Sequence, residues 1–312
     1  MDFAGAKQTD VSEIPVIDIS TLISGRGVDN VAAAIHEAAT DVGFFYLSGH
    51  GIAPELMAQA FTVSRDFFDQ PETVKTSVAV DTNQRGWMAT GMAKMRGAAT
   101  HDLKEVFFWG TPTVPPENRW PSEFPRLQAE LMPYYRVVCD IGNAVLRAVA
   151  TGFDLPEMTF ESAYETPMAR GQLVYYPPSS NGDEAEQRFG VAPHTDFGVL
   201  TFLLQDDNGG LQVRTRTGDW IEAPPIPGTL VCNIGDLLQR WTNDRFISTV
   251  HRVINRSGNK RYSIPVFFDP SPQALIDPRA LGTPDCEVKH APISAADYIA
   301  QQNQKTFSQY KK

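Results

Sequence analysis

Hydrophobic and polar positions alternate on two different periods in the two halves of the chain. In the first half, apolar residues at helical spacing predict helices over 28–41 (alanine-rich with a polar start) and 54–69, the latter with Pro54 in its first turn. Short strands are expected at 14–18 and 43–48, the second followed by a turn at Gly49-His50-Gly51-Ile52. The pattern loosens over 81–116, and Pro112, Pro115, Pro116 and Pro121 break any helix there. Residues 124–152 carry Leu127, Leu131, Val138, Ile141, Val145, Leu146 and Val149 at helical spacing, which predicts a long helix backing a sheet; Pro133 is expected to kink it or move its start. From 168 to 270, short β-rich runs alternate with Gly, Pro, Asn and Asp turns, which favours an all-β double sheet over a wound α/β sheet. Strands are expected at 172–176, 199–205, 211–214, 230–233, 249–255 and 263–269. The tail 292–312 reads as a polar helix lying across the mouth of the barrel, and no internal repeat is found.

Chemistry enters at Ala192-Pro193-His194-Thr195-Asp196, which opens an apolar run. On an extended chain, residues two apart share a face, so His194 and Asp196 are placed to approach one ion together. A third ligand is His251, 55 positions on (251 − 196), inside another β-branched segment. Two imidazoles and one carboxylate on one side of an ion leave the other side open, the facial arrangement of non-haem Fe(II) oxygenases. A zinc hydrolase uses the same residue types, so these ligands alone do not choose the metal. Arg261 and Ser263, ten positions after His251 (261 − 251), supply the discrimination: they share a strand face and suit a carboxylate, which an oxygenase with a dicarboxylate cosubstrate needs and a zinc hydrolase does not.

His-x-Asp, a later His and Arg-x-Ser in this order resemble the Fe(II)- and 2-oxoglutarate-dependent oxygenases of the isopenicillin N synthase-like group. Phe44-Phe45 with His50-Gly51-Ile52, and Asp102-x-Lys104-Glu105-x-Phe107, are similar to the text of that group's N-terminal region. The resemblance implies a mainly β fold with flanking helices: a double-stranded β-helix (jelly roll, cupin-like) core with a helical N-terminal region. It divides the chain into 1–120 (N-terminal non-haem dioxygenase region), 121–165 (backing helix), 166–275 (jelly-roll core) and 276–312 (C-terminal segment). It also implies Fe(II) on His194, Asp196 and His251, with 2-oxoglutarate and dioxygen as cosubstrates. The far carboxylate of 2-oxoglutarate would be anchored by Arg261, with Ser263 and Tyr176 adding hydrogen bonds. Tyr176 stands just before the proline of Tyr175-Tyr176-Pro177, a run that resembles the group's Tyr-Tyr-Pro signature; Val174, where the plant enzymes usually have Asn, departs from it. Residues 174 and 172 share the face of Tyr176 by period two. The activity implied is hydroxylation or desaturation of a small molecule, with release of succinate and carbon dioxide. An oxidase of the same group that uses no 2-oxoglutarate, or a non-catalytic metal-binding jelly roll, are the alternatives. Arg85, Trp87, Phe108, Gln172 and Phe268 are candidate substrate-pocket residues by position.

Composition narrows the partners. The net charge is −10 (27 basic against 37 acidic residues) with no basic run, so a small molecule is a better partner than nucleic acid or an anionic membrane; oligomeric state is not legible. The absence of a signal segment and of an apolar run of about 18 residues points to a soluble cytoplasmic protein. Three widely spaced cysteines, Cys139, Cys232 and Cys286, read as reduced thiols. The other histidines take structural readings: His36 on a helix surface, His50 hydrogen-bonded in its turn, His101 in a loop ion pair with Asp102, and His290 near the tail. No Gly-x-Ser-x-Gly elbow, phosphate-binding loop or dinucleotide fingerprint is present.

Overall fold

Residues of two sheets line one central cavity, and the helices cover the outside of the larger sheet. A computed structural model describes residues 13–92, 100–180, 183 and 188–306. The polar N-terminal tail and the last residues of the expected C-terminal helix lie outside the described residues.

The first half runs β1 (Val16–Asp18), α1 (Ser20–Ile23), α2 (Asp29–Asp41), β2 (Phe44–Ser48), α3 (Pro54–Phe68), α4 (Glu72–Thr76), β3 (Gly86–Met88), β4 (Glu105–Gly110) and α5 (Arg126–Thr151). The second runs β5 (Arg170–Tyr176), β6 (Val191–His194), β7 (Leu200–Gln205), β8 (Leu211–Arg214), β9 (Trp220–Glu222), β10 (Leu230–Ile234), α6 (Asp236–Trp241), β11 (His251–Val253) and β12 (Arg261–Phe268). A short hairpin of β13 (Leu275–Ile276) and β14 (Ile293–Ser294) leads into α7 (Ala295–Thr306). The eight-stranded sheet has the order β1-β2-β10-β7-β12-β5-β4-β3, and the four-stranded sheet β6-β11-β8-β9. This is the double sheet expected for 168–270, a jelly-roll core widened by N-terminal strands at both edges of the large sheet.

Two of those strands, β3 and β4, fall in the stretch that reads as loose in the sequence. The reason is local: β3 has three residues, and β4 is buried on both faces, so neither shows alternation.

Helix α5 lies against β12 and β7, with α2 and α3 packed on it. Its apolar stripe from Leu127 to Val149 is buried. Pro133 sits inside the helix without ending it or moving its start. The residue that loses a donor to Pro133, Ala129, is exposed, on the solvent side of the helix, where the lost bond costs least. Gly142 sets how closely helix and sheet approach, because a Cβ there would lie 2.6 Å from the Phe268 ring.

Strand period then sorts β12 into two faces. Arg261, Ser263, Pro265 and Phe267 line the central cavity, whereas Tyr262, Ile264, Val266 and Phe268 enter the core beneath α5. On β5, Arg170, Gln172, Val174 and Tyr176 face the same cavity. His36 is not a plain surface residue: its ring packs edge-on against Phe153 and Phe246, at 4.8 and 5.2 Å between centroids, because this side of α2 meets the chain after α5. His50 is buried in its turn and accepts from the Ile52 N–H (3.2 Å). The expected His101–Asp102 pair is replaced by Lys104–Asp102 at 3.1 Å, since Asp102 is buried and His101 is exposed.

Candidate metal and 2-oxoglutarate site

The two histidines of the expected triad are direct cross-strand partners, His194 at the end of β6 opposite His251 at the start of β11. Their ring centroids are 4.2 Å apart. Asp196 reaches them differently from the shared strand face read in the sequence. Strand β6 ends at His194, and Asp196 lies in the bend that leads to β7. That bend is pinned from behind: the Asp236 N–H donates to the Asp196 carbonyl (2.7 Å), and the Val199 N–H donates to Asp269 Oδ1 (3.0 Å). A Cβ on Gly198 would lie 1.8 Å from that same Oδ1, so glycine is needed for the approach.

Hydrogen bonds leave one donor atom of each residue free for an ion. Nδ1 of His194 lies 2.8 Å from the Ala192 carbonyl, and Nδ1 of His251 lies 3.1 Å from the Thr249 carbonyl. A carbonyl accepts only from a protonated Nδ1, which presents each Nε2 lone pair to the cavity. Asp196 Oδ2 accepts from Thr201 Oγ1 (2.6 Å) and Asn233 Nδ2 (2.8 Å), leaving Oδ1 to face both imidazoles. Each Nε2 is 3.7 Å from Oδ1, too long for a hydrogen bond. Two metal–ligand bonds of about 2.1 Å span such a gap. The three ligand atoms lie within 4.8 Å of one another.

Electrostatics point the same way. Burial, and then the neighbouring His251, push the His194 imidazole well below its ordinary value, so it is neutral as a metal ligand must be. Burial opposes ionisation of Asp196, but His251 and His194 and the hydrogen bonds from Thr201 and Asn233 outweigh it and hold the carboxyl below the ordinary range. Thr201 and Asn233 were missed in the sequence. Thr201 carries a weak signal, five positions after Asp196 (201 − 196); Asn233 carries none, because it arrives from β10.

The central cavity, of about 470 Å³, also holds an uncompensated cation. Arg261 is fully buried; its Nε donates to the Gly209 carbonyl, while among the described residues Nη1 and Nη2 have no hydrogen-bond partner. Its guanidinium carbon stands 4.6 Å from the Tyr176 ring centroid. A buried guanidinium with two free donors is costly unless an anion completes it, and a carboxylate matches the fork. Ser263 lines the same cavity.

Of the pocket residues expected from sequence, Phe108 and Gln172 line the cavity. Trp87 does not: it is turned away on β3, and its Nε1 donates to Glu105 (3.0 Å). Phe268 faces the core and stacks on Tyr164 at 4.8 Å, so that its neighbour Phe267 takes the cavity side. Arg85 lines an adjoining hollow rather than the cavity itself. Arg170 was missed, although counting by two back from Tyr176 reaches it.

Comparison with known proteins agrees with this geometry. Residues 170–270 match the family model of the 2OG-Fe(II) oxygenase superfamily, and 14–127 match that of the non-haem dioxygenase in morphine synthesis N-terminal region. The 2-oxoglutarate-Fe(II) type oxidoreductase ppzC of Metarhizium rileyi is 37% identical over 82% of this chain and 77% of its own. The homoarginine-6-hydroxylase 2-ODD-233 of Oryza sativa subsp. japonica is 33% identical over 86% and 89%. Among solved structures, a full-length Neurospora crassa protein in complex with alpha-KG and thymine superposes with a TM-score of 0.85 at 31% identity, covering 93% of this chain and 96% of that one. Identity of this order over most of the chain, on the same fold and around a triad that fits iron, shows that the chain belongs to the 2OG-Fe(II) oxygenase superfamily and is an Fe(II)- and 2-oxoglutarate-dependent dioxygenase.

Proposed function

We propose that His194, Asp196 and His251 hold Fe(II), that Arg261, Ser263 and Tyr176 hold 2-oxoglutarate, and that the enzyme hydroxylates a small molecule. The observation that carries the cosubstrate assignment is Arg261, buried with both Nη atoms lacking a hydrogen-bond partner among the described residues. When bound, iron with 2-oxoglutarate and dioxygen supplies the oxidising power, with succinate and carbon dioxide as coproducts. The chain's own residues bind, orient and exclude water. Nε2 of each histidine and Oδ1 of Asp196 take one side of the ion, and Thr201 and Asn233 keep the carboxylate from rotating. Arg261 receives the distal carboxylate, with the Tyr176 ring against its other face. Apolar cavity walls, Phe44, Val174, Leu203, Leu211 and Val253, keep water from the reacting centre.

The rice homologue named a homoarginine hydroxylase and the thymine complex of the Neurospora crassa protein both support a diffusible small-molecule substrate. A cytoplasmic setting belongs to this reading; all three cysteines are free thiols, and among the described residues no helix is long and apolar enough to cross a membrane. The test is calorimetric titration of 2-oxoglutarate into anaerobic Fe(II)-loaded protein. Wild type binds one equivalent and Arg261→Ala binds far more weakly; equal binding by both removes the assignment.

A further inference from the structure

Beside the iron cavity lies a second hollow, of about 380 Å³, which shares Thr82, Gln84, Arg170 and Asn303 with it. Two arginines meet there. Arg85, only 6% exposed, directs Nη1 at the carbonyls of Asn83 (3.4 Å) and Gln84 (3.1 Å), while its Nε is buried with no hydrogen-bond partner among the described residues. Gly110 leaves room for this side chain: a Cβ there would lie 2.3 Å from Arg85 Nη2. Arg170 pairs with the fully buried Asp269 at 2.9 Å and lies over Phe267, and its own Nε is also buried without a hydrogen-bond partner among the described residues.

The two guanidiniums are not equally compensated. Asp269 answers Arg170, but among the described residues no carboxylate lies within ion-pair distance of Arg85. The groups that favour its charge, Tyr135 and then Asp81, act on it without an ion pair; Asp81 Oδ1 accepts from the backbone N–H groups of Asn83 and Arg85. Burial, and then repulsion from Arg170, hold Arg85 below the ordinary arginine value. A buried guanidinium without an ion pair, beside a second arginine that is 26% exposed and paired with Asp269, each with an unused Nε at the edge of a binding cavity, is a site that can take an anion. Arg170 also stands on the cavity face of β5, six residues from Tyr176 (176 − 170), or roughly 20 Å along the strand. The anion subsite is therefore separate from the one at Arg261.

We propose that Arg85 and Arg170 form an anion subsite that takes the carboxylate of the oxidised substrate, so that the enzyme acts on small carboxylic acids whose reacting C–H bond extends from this hollow into the iron cavity. The proposal rests on the iron and 2-oxoglutarate reading above. The substrate acid approaches the two guanidiniums from the hollow, and Thr82, Gln84 and Asn303 line both hollow and cavity.

The test uses protein loaded anaerobically with Fe(II) and one equivalent of 2-oxoglutarate, with the visible charge-transfer band recorded first. Thermal unfolding is then followed with butanoate, octanoate or 4-phenylbutanoate and with the primary amide of each. In wild type at least one acid raises the unfolding temperature and its amide does not. In Arg85→Met the affinity for that acid falls about thirtyfold or more, as for a buried charge losing its partner, and Arg85→Lys, which keeps the charge without the fork, lies between. A normal band with no preference for any acid over its amide, or acid binding unchanged in Arg85→Met, overturns the subsite alone. Absence of the band in wild type overturns the iron and 2-oxoglutarate reading, and the subsite with it.

Discussion

Arg261 stands directly opposite Tyr176 in the register of β12 and β5, with its guanidinium carbon 4.6 Å from the tyrosine ring centroid. Cross-strand pairing thus fixes the guanidinium on one face by an aromatic ring and leaves two buried nitrogens for a ligand. Tyr176→Phe keeps the ring and removes only the hydroxyl. Its affinity for 2-oxoglutarate should fall by roughly threefold to tenfold, the worth of one hydrogen bond, whereas Arg261→Ala should lose on the order of a hundredfold or more. Parallel binding titrations of the two variants check the ranking; a larger loss in Tyr176→Phe would contradict it.

Iron affinity should depend on residues that never touch the ion. Thr201→Val and Asn233→Leu each remove one hydrogen bond to Asp196 Oδ2. Each should weaken Fe(II) binding by about tenfold to a hundredfold without changing the fold, as read by competition with a chelator and by circular dichroism. Undiminished affinity in both variants would show that the carboxylate needs no such support.

Metal should stabilise the folded chain through the triad. At a hundred times its dissociation constant, a bound ion contributes about 2.7 kcal/mol. Mn(II), which tolerates air, should raise the unfolding midpoint of wild type and leave that of His251→Ala unmoved.

Stability should also fall in mild acid, partly through histidines far from the metal. Burial, and then Arg245, lower the pKa of His36 in the folded state; burial lowers that of His50. The unfolded chain therefore takes up protons first, and the stability of the neutral forms, fully present above the unfolded value of about 6.5, is lost as pH falls through it toward the folded values. Urea unfolding between pH 7.5 and 5 should give a shallower pH dependence for His36→Gln than for wild type; parallel curves would remove His36 from the account.

Close approach of α5 to the sheet should be intolerant of a single methyl. Gly142→Ala places a Cβ 2.6 Å from Phe268, and should cost about 1–3 kcal/mol of stability. Denaturant unfolding measures this, and no change would mean that helix and sheet can part at no cost.

The order of ligands along the chain was legible because each sits in a short apolar β-type run, and Arg261 with Ser263 because strand period two is preserved through β12. The same period, started from Arg261, leads to Phe267 and not Phe268, so the sequence already held the means to choose between them. His194 and Asp196 illustrate the opposite case: the residues are right, but the strand ends between them, and a bend does what an extended chain was expected to do. Strands β3 and β4 were illegible because burial on both faces erases alternation. Asn233 and the meeting of Arg85 with Arg170 depend on contacts between distant elements, which no local pattern records.

The most direct measurement is anaerobic titration of metal-free protein, first with Fe(II) and then with 2-oxoglutarate, watching for the visible metal-to-ligand charge-transfer band. A band that requires both additions, is absent in His194→Ala and is weakened in Arg261→Ala is the predicted result. A wild-type protein that binds Fe(II) but develops no band with saturating 2-oxoglutarate would contradict the account.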